Sequence, residues 1–320
     1  MKVEDIKKVV VVGAGAMGVG IAQNFAQAGL SVQVVARREA SLERCLAQID
    51  ANLRLLLEFG LLHEEPSTIK SRIEPIPAQH LAEATRDCDF IVETIPEVLQ
   101  AKRDLFAQLD SLPKDTILSS NTSSFTISSI VEGMRTPERV VGLHYFNPAH
   151  ILPLVEIHRG KHTSDEVVEL AMKLMLKVGK KPILVRKEVV GFVVNRIQAA
   201  MGREGNYLVS EGIVTPQDLD TAAKASYGFR LARLGPMESS DLMGLDTIFR
   251  ASEQIYKDLN NSRKPSPMLE EKVKRGELGV KSGKGWHDYE GRPIMQILEE
   301  RDRKLLQQLV LFNQMEKEQK

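Results

Sequence analysis

The β-branched run Lys7 to Val12 leads straight into Gly13-Ala14-Gly15-Ala16-Met17-Gly18, and a helical pattern continues from Met17 to Ala28 until Gly29 stops it. A buried strand, a turn of spaced glycines and a helix, in that order, describe the opening of an α/β sheet. Gly13 permits the tight turn. Gly15 lets a bound group approach the backbone, and Gly18 lets helix and strand pack closely. The helix N-terminus, at Ala16 and Met17, offers N–H groups and a positive dipole to an anion. The pyrophosphate of a dinucleotide uses both features. Gly13, Gly15, Ala16, Met17 and Gly18 are therefore candidate cofactor-binding residues, and a glycine-rich turn without a ligand is the alternative.

The pattern repeats downstream. Ser31 to Ala36 reads as a second strand. Leu42, Leu46, Ile49, Leu53 and Leu56 then mark a helix with one apolar face. Phe90 to Val92, Ile117 to Ser119 and Val140 to Leu143 read as further buried strands. Such alternation predicts a parallel sheet covered by helices on both faces. After Glu188 the character changes. Phe192 to Val209 predicts a long helix that breaks near Gly212, and Thr215-Pro216-Gln217-Asp218 starts another. Leu245 to Leu259 and Gln296 to Phe312 continue the helical run. The expected fold is a Rossmann-type doubly wound sheet followed by an all-helical C-terminal domain. The expected division is residues 1–188 for nucleotide binding and 189–320 for substrate and dimerisation.

The end of the second strand bears on nucleotide choice. An acid there commonly holds the ribose 2′-hydroxyl of NAD. Here the strand ends Val35-Ala36-Arg37-Arg38. A guanidinium matches a phosphate well. Arg37 and Arg38 therefore suggest NADP, whereas a ribose contact from Glu39 would leave NAD open.

Three segments follow in a telling order: Ser120-Asn121-Thr122-Ser123-Ser124, then Gly142-Leu143-His144-Tyr145-Phe146-Asn147-Pro148 with Leu154-Val155-Glu156, then Gly191-Phe192-Val193-Val194-Asn195-Arg196. With the glycine loop, they resemble the L-3-hydroxyacyl-CoA dehydrogenase family from about Lys8 to Tyr289. The resemblance implies that His144 is the catalytic histidine and Glu156 its acidic partner. It implies that Ser123 and Asn195 touch substrate. Asn121, Glu97, Lys102 and Lys281 fall on the cofactor side. The residue types suit the chemistry. An imidazole near its free pKa can take a hydroxyl proton while hydride leaves carbon. A carboxylate behind the ring fixes its tautomer, and hydroxyl and amide donors hold charge on oxygen. Taken singly, each residue has a structural alternative: a strand-end histidine, a salt-bridge acid, a helix-bracing asparagine. His158, His162 and Cys88 have no such company and read as structural or surface residues. His150, close to Pro148, is a minor candidate for substrate contact.

Two departures bear on substrate. Asn52 to Leu62, the arm after the second strand where family members place CoA, holds one arginine and no lysine. Tyr227 to Met237 carries Arg230 and Arg233, as in relatives acting on small hydroxylated acids, and either could clamp a carboxylate. A 3-hydroxyacyl-CoA is the first expectation and a small non-CoA hydroxy acid the second. A catalytically silent nucleotide-binding relative is a third. The tail from Ile294 to Lys320 is helical and partly apolar, and is expected on the second domain or on a second subunit; the family implies a homodimer.

Composition removes other classes. Forty-three basic side chains balance forty-three acidic ones, so there is no electrostatic footprint for nucleic acid or an anionic membrane. Met1 to Lys8 lacks the apolar core of a signal peptide, and Val9 to Ala22 is too short to span a bilayer. Cys45 and Cys88 have neither metal nor disulfide spacing, and no metal is expected. Free thiols fit a reduced cytoplasm.

Overall fold

A computed structural model describes residues 1–318; Gln319 and Lys320, the end of the predicted tail, lie outside the described residues. Eight strands form one sheet: β1 (Lys8–Val12), β2 (Ser31–Ala36), β3 (Ile73–Pro77), β4 (Phe90–Glu93), β5 (Ile117–Ser120), β6 (Val140–Tyr145), β7 (Leu154–His158) and β8 (Lys181–Val185). Their spatial order is β3-β2-β1-β4-β5-β6-β7-β8. The chain thus starts mid-sheet, winds outward through β3, then crosses back to β4, the doubly wound pattern expected.

The sequence reading differs from the structure at the sheet edges. β3 contains Pro75 and Pro77, which cannot donate to a ladder, and it is tolerated because it is the edge strand. The sheet is also not wholly parallel. β6 and β7 are antiparallel, with Gly142 opposite His158 and His144 opposite Glu156. Only an antiparallel pair can be joined by so short a link as Phe146 to Pro153.

The helices of the sheet region are α1 (Ala16–Gln27), α2 (Glu39–Glu58), α3 (Pro66–Lys70), α4 (Leu81–Thr85), α5 (Leu99–Leu109), α6 (Ile127–Ile130) and α7 (Asp165–Lys177). Alternation along β1 sends Val9 and Val11 into one core layer with Ile21, Phe25 and Phe90. Val10 and Val12 enter the other, with Ile91, Phe106 and Leu118. Both faces are therefore covered, which is why the central strands read as unbroken apolar runs.

The remaining helices are α8 (Val194–Ser210), α9 (Pro216–Ala225), α10 (Tyr227–Leu231), α11 (Pro236–Met243), α12 (Leu245–Ile255), α13 (Pro267–Lys274) and α14 (Ile294–Glu318). The chain forms two compact units. One holds Met1–Val193 and the described residues from Asp302 on; the other is Val194–Arg301. The expected division at 188/189 thus falls five residues later, at the start of α8. Phe192 is not helical: it follows Gly191 (φ 76°) with φ 54°, a left-handed pair that turns the chain before α8. The tail reading also needs correcting. The last turns of α14 rejoin the first unit, where Leu306 is buried with Leu56 and Ile151, and Arg303 pairs with Glu58.

In the second unit, Thr215 caps α9 through the Asp218 N–H, as its motif predicts. None of the residues of α8 to α13 is buried. Among the described residues, no helix is long and apolar enough to cross a membrane.

Candidate active site

The glycine turn is built for close approach at two positions and open at a third. A Cβ on Gly13 would lie 2.4 Å from the Thr94 hydroxyl, and one on Gly18 would lie 1.9 Å from the Gly13 carbonyl oxygen. Gly13 also has φ 126°, which only glycine adopts easily. A Cβ on Gly15 would meet nothing within 4 Å. Gly15 is the N-cap of α1, and no side chain caps that helix. Its first N–H groups, at Ala16, Met17 and Gly18, are therefore without a side-chain acceptor. Open space beside uncapped N–H groups fits a pyrophosphate. Thr94, which sequence reasoning missed, pins the turn: its hydroxyl donates to the Gly13 carbonyl at 3.1 Å and its N–H to Val12 at 2.8 Å. Arg37 and Arg38 lie exposed just past β2, and Arg38 is the N-cap residue of α2.

On the next strands a buried polar network holds the 121–124 loop. Lys102, only 1% exposed, places Nζ 2.6 Å from Glu93 and 3.2 Å from Glu97. Glu93 ends β4 fully buried and accepts from Ser120 Oγ. Burial raises its pKa, against the pull of Lys102. Glu97 accepts the N–H groups of Ser123 and Ser124 at 3.1 and 3.0 Å, and the Thr122 hydroxyl. Burial acts to raise its pKa, but Thr122, Lys102 and the Ser124 N–H outweigh that and hold it low. Lys102 thus sits beneath the loop, held by two carboxylates, and Ser123 sits half-buried on it. Asn121 is tied in differently: its Oδ1 accepts the Tyr145 N–H at 2.9 Å, linking the loop to β6. Glu93 was legible in principle, as the one acid closing an otherwise apolar strand.

The cross-strand pair of β6 and β7 brings His144 and Glu156 together. His144 Nδ1 lies 2.8 Å from Glu156 Oε2, with His144 4% and Glu156 0% exposed. Directly opposed strand residues share a face, so the register alone makes this contact. The other carboxylate oxygen, Oε1, accepts the Val193 N–H at 3.1 Å, just before the chain leaves the first unit. Phe146 and Phe192 pack on the His144 ring, at 4.5 and 5.3 Å between centroids. His158 Nε2 lies 3.4 Å from the same oxygen, Glu156 Oε2. Among the described residues, His144, Glu156 and His158 have donor atoms within 4.8 Å of one another, close enough to consider a metal. A Zn²⁺ ion would sit about 2 Å from each ligand. The 2.8 Å contact is instead a hydrogen-bond distance that shares a proton, as an acid–base pair requires.

The remaining candidates lie on other elements. His150 lines a pocket of about 320 Å³ with Asn24, Leu61, Lys180 and Leu309. Asn195 lies in the first turn of α8, Arg230 in α10, Arg233 just beyond it, and Lys281 in the short turn Val280–Ser282. These four belong to the second unit, where Arg230, Arg233 and Lys281 are exposed.

Residues 8–189 match the family model "3-hydroxyacyl-CoA dehydrogenase, NAD binding domain", and residues 191–289 match "3-hydroxyacyl-CoA dehydrogenase, C-terminal domain". The 5-formyl-3-hydroxy-2-methylpyridine 4-carboxylate 5-dehydrogenase of Mesorhizobium japonicum is 32% identical over 302 residues, 94% of this chain and 96% of the relative. A probable 3-hydroxybutyryl-CoA dehydrogenase of Deinococcus radiodurans is 38% identical over 282 residues, 87% of this chain and 99% of the relative. Among solved structures, one of that pyridine-carboxylate enzyme, described as an NAD+ dependent dismutase, superposes with a TM-score of 0.89 at 31% identity, covering 96% of this chain and 99% of that one. An (S)-3-hydroxybutyryl-CoA dehydrogenase from Ralstonia eutropha gives 0.72 at 32% identity, covering 89% and 99%. With both domain models matched in order over residues 8–189 and 191–289, and with a glycine turn on the same sheet as a buried His–Glu pair, the chain belongs to the 3-hydroxyacyl-CoA dehydrogenase family and is an NAD(P)-dependent oxidoreductase acting on CH–OH groups.

Proposed function

We propose that the chain oxidises the secondary alcohol of a small, carboxylate-bearing hydroxy compound that carries no CoA, with His144 as base and NADP as the nucleotide. The observation that carries the base assignment is the 2.8 Å contact between His144 Nδ1 and Glu156 Oε2. It fixes Nδ1 as the bonded nitrogen and leaves Nε2 to take the hydroxyl proton. Glu156 then faces an imidazolium and stabilises it. Bound nicotinamide supplies the hydride acceptor, and the carbinol carbon becomes a carbonyl. Ser123, on the loop that Glu97 and Lys102 hold, and Asn195 are assigned to the substrate oxygen. In the reverse direction His144 donates the proton.

The arm after β2 disfavours CoA. Its apolar residues Leu55, Leu56, Phe59, Leu61 and Leu62 cluster with Leu305, Leu306 and Leu309 of α14. The chain's own last helix therefore covers the surface that the family resemblance gives to CoA, and Arg303 is paired with Glu58 there. Arg230 and Arg233 are exposed guanidiniums suited to a carboxylate. Exposed Arg37 and Arg38 support the 2′-phosphate reading. A 3-hydroxyacyl-CoA substrate is the second reading, favoured by the 38% identity to the Deinococcus relative.

A homodimer through the helical unit is part of the proposal. Six helices without a buried residue expose Ile197, Met201, Phe229, Leu242, Leu245 and Phe249. A second copy is the self-complementary cover for such a face. Light scattering behind size exclusion should give twice 35.7 kDa.

The deciding experiment follows NADPH and NADH oxidation with acetoacetyl-CoA, with free acetoacetate and with aromatic oxo-carboxylates. Turnover of free acids with NADPH supports the proposal. Turnover of the thioester alone overturns the CoA-free reading, and equal Michaelis constants for the two nucleotides overturn the NADP reading. Nucleotide binding without any turnover would favour a silent relative.

A further inference from the structure

We propose that His158 is a positioning residue that acts on His144 through Glu156, as the third member of a buried His–Glu–His chain. The inference gives His158 a part in the dehydrogenase reading above, and so rests on that reading for its consequence in turnover.

Strand geometry brings the residue there. Glu156 and His158 are two apart on β7 and share a face, and their partners on β6 are His144 and Gly142. The Gly142 position has no room for a side chain. A Cβ there would lie 2.5 Å from His158 Cβ and 3.2 Å from its Cδ2. A glycine in mid-strand costs stability and marks a close approach; here the group that approaches is the His158 ring. That ring also lies against Phe192, with centroids 3.5 Å apart, on the segment whose next N–H binds Glu156.

The ring is 3% exposed, and among the described residues its Nε2 has no aligned hydrogen-bond partner. It lies 3.4 Å from Glu156 Oε2, the oxygen that His144 Nδ1 also addresses. The titratable groups facing the ring are Glu156 on its own strand, His144 on β6 and Glu188 beyond β8. Its β8 partner Val185, Ile127 of α6 and Phe192 carry no charge. Burial holds the imidazole below its usual pKa, more than Glu156 raises it. A neutral ring with its proton on Nε2 then sets a partial positive charge 3.4 Å from the shared oxygen, outside hydrogen-bond alignment. It draws charge from the carboxylate and so tempers the basicity that Glu156 lends to His144.

The test reads His144 directly, without a substrate. Protein labelled with ¹⁵N in its histidine rings is titrated by NMR, and the His144 signals are assigned with His144→Asn. In His158→Leu the carboxylate, no longer facing the His158 ring, should raise the His144 midpoint by about half to one pH unit. His158→Gln keeps an N–H that can reach Oε2 and should bring the midpoint back toward wild type. A midpoint unmoved or lowered in His158→Leu, with nucleotide binding retained, overturns the proposal and leaves His158 a packing residue. Should His158→Leu not fold, His158→Asn, too short to reach Oε2, is compared with His158→Gln, and equal midpoints overturn it. Failure to oxidise any alcohol would instead sink the dehydrogenase reading while leaving this readout intact.

Discussion

Gly15 and Gly18 lie three residues apart in one motif, yet the structure assigns their glycines to different causes, and alanine at each separates them. At Gly18 the added Cβ would sit 1.9 Å from the Gly13 carbonyl oxygen, against an ordinary contact of 3.4 Å or more. One of the two backbones would have to retreat by about 1.5 Å, and overpacking of that kind costs about 3 kcal/mol or more. Neither backbone is free to do so. The Gly13 N–H donates to Val35 at 2.8 Å, and its carbonyl accepts from Thr94 at 3.1 Å. At about 2 °C per kcal/mol for a chain of this size, Gly18→Ala should lower Tm by about 6 °C or more. At Gly15 the backbone is extended, with φ −81°, and the new methyl meets nothing within 4 Å. Exchanging an N-cap glycine for alanine costs at most about 1 kcal/mol, or about 2 °C. The methyl would, however, occupy the space proposed for the pyrophosphate. Losing two charge-assisted N–H bonds at about 1.5 kcal/mol each weakens binding by about a hundredfold. Thermal unfolding without nucleotide, and NADPH or NADH titration by fluorescence, read the two effects separately. Wild-type nucleotide affinity in a folded Gly15→Ala would refute the pyrophosphate assignment. An unchanged Tm in Gly18→Ala would refute the packing argument.

Two further outcomes follow from buried ionisable groups. Glu156→Gln should lower kcat by about 10²- to 10⁴-fold with nucleotide affinity unchanged, because the amide leaves the His144 tautomer unfixed and its imidazolium unsupported; a loss confined to KM would contradict that role. Lys180 is buried with Nζ on the Ala149 and Leu152 carbonyls at 2.7 and 2.9 Å, and burial pushes its pKa down to about 7. A lowered pKa means that the unfolded chain binds more protons between pH 7 and the ordinary lysine value, so stability is lost as pH falls toward 7 and regained as it rises. Denaturant unfolding should show wild type gaining about 2 kcal/mol between about pH 7 and about pH 9 relative to Lys180→Met, and parallel pH profiles would refute it.

Much of the first unit could be read from the sequence because its signals are local. The strand–glycine–helix opening, the apolar runs of β4 to β6 and the apolar stripe of α2 each report their own burial, and a β-branched run with glycine after it has few other uses. β3 escaped because its prolines argue against a strand, and only an edge position makes them acceptable. β7 and β8 escaped because Glu156, His158, Lys181 and Pro182 break their apolar runs, and an antiparallel turn in a parallel sheet leaves no mark on composition.

The division is clearer still at the site. The sequence by itself determined the nucleotide turn, the change to helices after Glu188 and, by family resemblance, the pairing of His144 with Glu156. The tertiary structure decided what those residues lean on. Glu93 and Lys102 meet under the 121–124 loop, nine residues apart in sequence but joined only once α5 packs on β4. Gly142 makes room for His158 because the β6–β7 register places them opposite each other. α14 returns across almost the whole chain to cover Leu56. A local pattern states which face of an element is apolar, but it does not state which distant element will cover that face. Contacts that depend on register, on close approach or on the return of a terminal helix are therefore settled only when the chain is packed.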